Sequence, residues 1–271
     1  MNFTGKLNYA GESKGDPPQL GIPTIIHDAR AEHGVEDSPR DSTDLLLNGN
    51  GFLLVHAPSA VQDWSDPKEV ARIYYDEMHS LVQKMLPEFD VSPITSHTFR
   101  NEEIKTHHWI EGTQYGPPAE FVHNDYADSL APDGSVEKTF PEIMDMPSDR
   151  RVIGVNLWRS VTDMPLERFP LAVCDRTSIE QKDLVYEPNL NAPKPFNAHY
   201  CRPNSGQHWN YYSQMIKNEA LIFTTYDSTP DDGHLFKPTL HTAVRMPGSD
   251  GKTPRVSIEV RFFAFQSTTR D

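Results

Sequence analysis

The sequence predicts a mainly β protein with flanking helices, built as a sandwich or barrel. Three observations point there. From residue 95 onward, short runs rich in β-branched and aromatic residues are separated by turn clusters. The chain carries 23 prolines, which suit loops and strand edges and break helix interiors. The strongest helical period is confined to one segment. A chain of 271 residues holds one full core, and single β domains reach this size. The expected organisation is an N-terminal extension of short strands and loops over 1–50, then one domain over 51–271.

The elements follow in order. Residues 10–21 and 28–43 are polar and rich in Gly, Pro, Asp and Glu, so they read as loops or a mobile arm around a short strand at 22–27. GFLLVH at 51–56 is a compact apolar strand. The helix spans 67–86. Asp66 is its N-cap, Pro67 fits the first helical position, Glu69 completes a capping box, and Pro87 stops it. Val70, Ile73, Tyr74, Leu81, Val82 and Met85 make its apolar face, which should buttress a sheet. Strands are expected at 95–99, 120–123, 151–158, 170–175, 220–226, 239–245 and 255–265. The last run, RVSIEVRFFAF, puts Arg255, Ser257, Glu259 and Arg261 on one face and Val256, Ile258, Val260 and Phe262 on the other. Four polar residues on one strand face mean either a solvated surface or a polar barrel interior that holds an anion.

Bulk charge narrows the function classes. Twenty-five Lys and Arg against 39 Asp and Glu give −14, a sign that repels phosphate backbones and anionic lipid. No apolar run approaches the roughly 20 residues that cross a bilayer. The first residues lack a basic start followed by an apolar stretch, so no secretory signal is expected. Cys174 and Cys201 then read as reduced thiols, and the protein as cytoplasmic. Its partner is expected to be a small molecule, without nucleic acid or membrane; a homodimer is allowed, though nothing specifies one.

His123-Asn124-Asp125 is the one His-x-Asp in the chain. On extended backbone, residues i and i+2 project to the same side, so an imidazole and a carboxylate can chelate one metal. Two His and one carboxylate leave an octahedral face open, which suits Fe(II) with a bidentate cosubstrate and O2. Alone, the motif is equally a solvated turn. The C-terminal pattern strengthens it. His241 opens a strand-like segment, and Arg255-Val256-Ser257 follows on the next strand. A guanidinium and a hydroxyl pointing inward together suit a carboxylate such as C5 of 2-oxoglutarate. Alternatives stay open: His234 for His241 as ligand, and Arg261 for Arg255 as clamp. His199 and His208 read as structural or pocket residues, and His107-His108 as a solvated pair or a substrate group.

In this order and spacing the motifs resemble the AsaB/CmcJ-like hydroxylase/desaturase family of Fe(II)/2-oxoglutarate-dependent oxygenases. The resemblance runs from about Gly51 to Phe265. It rests on GFLLVHAPSAVQDWSD, SHTFR at 96–100, AEFVHNDY at 119–126, VNLWRS at 155–160 and PLAVCD at 170–175. It continues in HWNYYSQMIKNEALIFTTYDS at 208–228, LHTAVRMPG and RVSIEVR. It implies a double-stranded β-helix (jelly-roll, cupin-like) core, with Fe(II), 2-oxoglutarate and O2. It further implies His123, Asp125 and His241 as iron ligands and catalytic centre, with Arg255 and Ser257 at the cosubstrate. Asn156 and Trp158 would line the same pocket. Arg100, Tyr126, Tyr211 and Arg261 are candidates for substrate contact, with Tyr212 beside Tyr211; core packing is the competing reading for the aromatics. The implied activity is oxidation of a small-molecule C–H bond, by hydroxylation, desaturation or oxidative cyclisation, in secondary-metabolite biosynthesis. Two rival readings use the same ligands: a metal-binding jelly-roll without catalysis, and a zinc hydrolase. The polar N-terminus and the loop 231–238 are candidate lids.

Overall fold

A computed structural model describes residues 1–12, 15–35, 42–94, 96–126, 150–189, 196–228 and 236–267. Thr95, His234 and most of the candidate lid 231–238 lie outside them, as do 36–41 of the polar N-terminal stretch. Two curled sheets face each other and form a double-stranded β-helix core. The first runs β3 (Phe52–His56), β14 (Glu219–Asp227), β9 (Val152–Ser160), β16 (Val256–Gln266), β5 (His97–Asn101), β7 (Thr113–Gly116) and β6 (His108–Ile110). A short β4 (Phe89–Val91) also pairs with β16. The second runs β1 (Phe3–Tyr9), β2 (Gln19–Asp28), β13 (Trp209–Tyr211), β10 (Leu171–Cys174), β15 (His241–Ala243), β8 (His123–Asn124), β12 (Phe196–Cys201) and β11 (Leu184–Asn189).

Strand alternation decides what each face meets. On β9, Ile153, Val155 and Leu157 point outward to the helix, while Asn156 and Trp158 point between the sheets. On β16, Ile258, Val260 and Phe262 join the same outer cluster. Ser257, Glu259 and Arg261 occupy the other face, so that face is interior and not solvated. Gly154 is required where β9 crosses the bulge in β14: a Cβ there would lie 2.8 Å from the Tyr226 Cβ.

The helix α3 (Pro67–Met85) covers the outer face. Besides α1 (Ala29–His33) and α2 (Ser42–Leu47), it is the one long helix among the described residues. Asp66 caps it by accepting from the Lys68 amide, and Pro67 opens it, as the sequence predicts. The capping box does not form, because the Glu69 carboxylate accepts from the Gln62 amide at 2.8 Å. Val70, Tyr74, Val82 and Met85 are buried with Met78, while Ile73 and Leu81 are partly buried. Each full burial of such a side chain contributes about 1.5–3 kcal/mol. None of these helices is long and apolar enough to cross a membrane.

The N-terminal stretch departs from expectation. The strand near 22–27 extends over Gln19–Asp28, and Phe3–Tyr9 forms a second strand antiparallel to it. β2 then joins β13 in parallel, so this hairpin extends the second sheet. Leu7, Tyr9 and Ile26 anchor it in a cluster with Trp209 and Tyr211. Cys174 and Cys201 sit in that cluster as free thiols, and burial pushes the Cys174 thiol up to about 12.

His97, at the start of β5, gives a pH prediction. It is buried, its Nδ1 lies 2.8 Å from the Tyr75 hydroxyl, and burial holds its pKa down to about 4 against the usual 6.5. A base whose folded pKa is depressed contributes stability that is complete above its unfolded pKa and lost as pH falls. Metal-free protein should therefore lose at most about 3 kcal/mol through this group between pH 6.5 and 4. Thermal melts over that range should fall less steeply for His97→Gln than for the unaltered chain.

Candidate metal centre and its cavity

β8 and β15 are antiparallel neighbours, and His123 lies directly opposite His241. Opposed residues point to one face, so the two imidazoles meet with ring centroids 4.4 Å apart. Asp125, two residues after His123, turns the same way. One ligand atom from each of His123, Asp125 and His241 lies within 4.8 Å of the others. Among the described residues this is the one such group of His, Cys, Asp or Glu.

Backbone carbonyls set both ring orientations. His123 Nδ1 is 2.7 Å from the Phe121 carbonyl, and His241 Nδ1 is 3.2 Å from the Thr239 carbonyl. A carbonyl only accepts, so Nδ1 carries the proton in each ring and Nε2 presents its lone pair to the shared point. Burial first, and then His241, push the His123 pKa down to about 4; burial also lowers that of His241. Both rings are thus neutral donors at neutral pH. Burial opposes ionisation of Asp125, but Arg261 and the imidazoles outweigh it and hold its carboxyl well below the usual range.

Asp125 Oδ2 accepts from Asn156 Nδ2 at 2.6 Å and from Arg261 Nε at 2.7 Å. Oδ1 faces His123 Nε2 at 3.8 Å. Arg261 also pairs with Glu259 and donates to Thr98 Oγ1 at 2.9 Å. Asn156 and Arg261 therefore hold Asp125. Asn156, expected to line the pocket, donates to Asp125 and Glu259 and is not among the residues that line the cavity. Arg261, fully engaged with Asp125 and Glu259, is no substitute for Arg255 as clamp.

A cavity opens beside the three ligands, lined in part by Arg255, Trp158, Arg100 and Leu171. Arg255 is 2% exposed. Its Nε donates to Ser257 Oγ at 3.0 Å, its Nη1 donates to the Phe169 carbonyl at 3.0 Å, and its guanidinium stacks 4.9 Å from the Trp158 ring. Burial, and then Arg100, push its pKa down to about 9, which still leaves it charged at neutral pH. Trp158 Nε1 is a buried donor with no acceptor among the described residues. An indole N–H without an acceptor and a guanidinium without an ion pair among the described residues, on side chains that line one cavity, describe a place for an anion.

The family model described as an oxidoreductase/YMDC permease-like domain matches residues 5–265. The chain belongs to this family. Among curated relatives of this oxidoreductase, the alpha-ketoglutarate-dependent dioxygenase phiK of Fungal sp. (strain ATCC 74256) is 26% identical over 237 residues, covering 81% of this chain and 79% of that one. The hydroxylase/desaturase asaB of Aspergillus flavus is 38% identical over 125 residues, 41% of this chain and 54% of that one. Among solved structures, the iron and alpha-ketoglutarate-dependent endoperoxidase NvfI superposes with a TM-score of 0.67 at 23% identity, covering 99% of this chain and 97% of that one. A variant of the same endoperoxidase reaches a TM-score of 0.75. These superpositions carry the jelly-roll fold.

The remaining sequence-predicted residues of this oxidoreductase divide clearly. Arg100 lines the cavity. Tyr126 is 3% exposed and packs with Val152, Tyr226, Phe263 and Phe265; it is not on the cavity wall. Tyr211 packs edge-on against Phe3 and donates to the Met1 carbonyl at 2.8 Å, so it secures the N-terminal strand, and it is not on the cavity wall. Tyr212 is core, against Phe52. His208 stacks on His27, and His199 packs on Tyr186, both outside the ligand group. Thr98 and Phe223, the latter with its ring 4.8 Å from that of His241, were not singled out in sequence. Thr98 was within reach, since it precedes Arg100 by two residues on one strand. The Phe121, Thr239 and Phe169 carbonyls carry no side-chain signal.

Proposed function

We propose that this chain is a non-heme Fe(II)/2-oxoglutarate-dependent oxygenase that oxidises a C–H bond of a small molecule in secondary-metabolite biosynthesis. The observation that carries the reading is the convergence of two Nε2 lone pairs and one carboxylate beside a buried guanidinium that forms no ion pair among the described residues. The donor set fits Fe(II): two neutral imidazoles and one carboxylate are the ligand types that would hold it while leaving room for a cosubstrate. Iron bound there supplies C–H oxidation by O2, coupled to decarboxylation of 2-oxoglutarate to succinate and CO2.

The protein's part is orientation and exclusion of water. His123, Asp125 and His241 would hold the metal. Asn156 and Arg261 keep the Asp125 carboxylate turned with Oδ1 forward. Arg255, steadied by Ser257 and the Phe169 carbonyl, would hold the C5 carboxylate of 2-oxoglutarate, and the unpartnered Trp158 Nε1 would donate beside it. Leu171 and Phe223 keep this side of the centre apolar.

The test is succinate formation from 2-oxoglutarate under air, with Fe(II) and separately with Zn(II), alongside 2-oxoglutarate binding under nitrogen. Fe(II)-dependent binding and turnover are expected. A chain that binds metal but not 2-oxoglutarate would leave the hydrolase or the non-catalytic reading. In the Arg261→Gln, Glu259→Gln double variant, which avoids stranding the Glu259 carboxylate and leaves Asn156 on Asp125, Fe(II) affinity should fall roughly 10–100-fold, as when a residue behind a metal ligand is lost. Titration under nitrogen measures it.

A further inference from the structure

Arg100 is a second guanidinium in the same cavity, and nothing derived so far uses it. It lies on β5 directly opposite Ser257 on β16, so it projects from the same sheet face as the cosubstrate pair. Its bonds go only to neutral acceptors: Nη1 donates to His107 Nδ1 at 3.1 Å and Nη2 to Gln114 Oε1 at 3.5 Å. Among the described residues it forms no ion pair, whereas Arg261 pairs with both Asp125 and Glu259. Gly116 makes room for it. A Cβ at Gly116 would come within 2.8 Å of Arg100 Nη1 and would also meet His107.

Charge and depth give this group a ligand. Arg100, Arg255 and Arg261 face the two carboxylates of Asp125 and Glu259. Fe(II) and the 2-oxoglutarate dianion cancel each other, so a positive charge stays in the loaded cavity. Burial and the neighbouring Arg261 push the Arg100 pKa down to about 10, the direction expected of a cation that lacks an anion. Arg255 is almost fully enclosed, while Arg100 is only partly so. Cosubstrate bound at Arg255 would leave Arg100 for whatever enters next.

We propose that Arg100 selects the oxidised molecule by its carboxylate: the substrate is an organic acid whose carboxylate sits on this guanidinium, above the cosubstrate. The assignment rests on the oxygenase reading of the cavity. A planar fork of donors matches a carboxylate, and an amide of equal shape lacks the charge. Discrimination of about ten- to a hundredfold is expected for a charge-assisted pair in such a site.

The experiment uses the full chain loaded with Fe(II) and saturating 2-oxoglutarate under nitrogen. Hexanoate, decanoate and phenylacetate are titrated against their amides by saturation-transfer NMR. The acids should bind more tightly than the amides by the stated factor. Arg100→Gln should bring the ratio to near one without changing Fe(II)-dependent 2-oxoglutarate binding. Gly116→Ala, which displaces the guanidinium and keeps its charge, should lower the ratio partway; it stands in should Arg100→Gln fail to fold. Equal binding of acids and amides, no binding of any acid, or a ratio that survives these substitutions overturns the proposal. So does loss of 2-oxoglutarate binding in Arg100→Gln, since Arg100 would then be part of the cosubstrate clamp. The oxygenase reading fails separately, through absence of Fe(II)-dependent 2-oxoglutarate binding in the unaltered chain.

Discussion

His241→Ala should abolish Fe(II) binding in the micromolar range, leaving His123 and Asp125 as a bidentate remnant. The loss should exceed the roughly 10–100-fold seen when only a residue behind a ligand is removed. His241 is 2% exposed, packs on Phe223 and presents Nε2 because Thr239 fixes Nδ1. Among the described residues no fourth His, Cys, Asp or Glu belongs to the group. The substitution also leaves a void, at a cost of about 2–5 kcal/mol for a large buried side chain. Calorimetric titration under nitrogen is therefore paired with a melt of the metal-free protein, which separates lost folding from lost ligation. His234→Ala is the decisive comparison. Should it remove iron while His241→Ala retains it, the ligand assignment is wrong.

Arg255→Ala should raise the Kd for 2-oxoglutarate by about 30-fold or more while leaving Fe(II) binding in place, because truncating one side of a buried charge pair costs about 2–5 kcal/mol. Structural damage should be small in comparison. The guanidinium is bonded to a hydroxyl and a carbonyl, so its loss strands no buried carboxylate. Arg255→Lys should restore part of the affinity, since it keeps the charge but not the fork or the stacking on Trp158. Binding of 2-oxoglutarate to Fe(II)-loaded variants, followed by its charge-transfer absorbance under nitrogen, reads the effect. Unchanged affinity in Arg255→Ala would move the clamp to another cavity cation, with Arg100 next in line.

Elements with a local code were legible in the sequence. α3 was readable from Asp66, Pro67 and a three-to-four-residue apolar spacing, because capping and amphipathicity are written within one segment. β9, β14 and β16 were readable as apolar or alternating runs. β1 and β13 were not, since short strands in mixed company become strands by pairing with distant partners: β2 for both. The capping box failed for a similar reason, as a loop amide at Gln62 competes for Glu69.

By itself the sequence determined a β-rich fold, one long helix, an acidic net charge, and a His-x-Asp followed by His and Arg-x-Ser in that order. Only the tertiary structure decided which of these side chains share a space. Cross-strand register sets His123 against His241, turns the polar face of β16 inward, and commits Arg261 to Asp125, while Arg100 and Arg255 form no ion pair among the described residues. Register joins residues more than a hundred positions apart, and a chain read one segment at a time carries no record of that pairing.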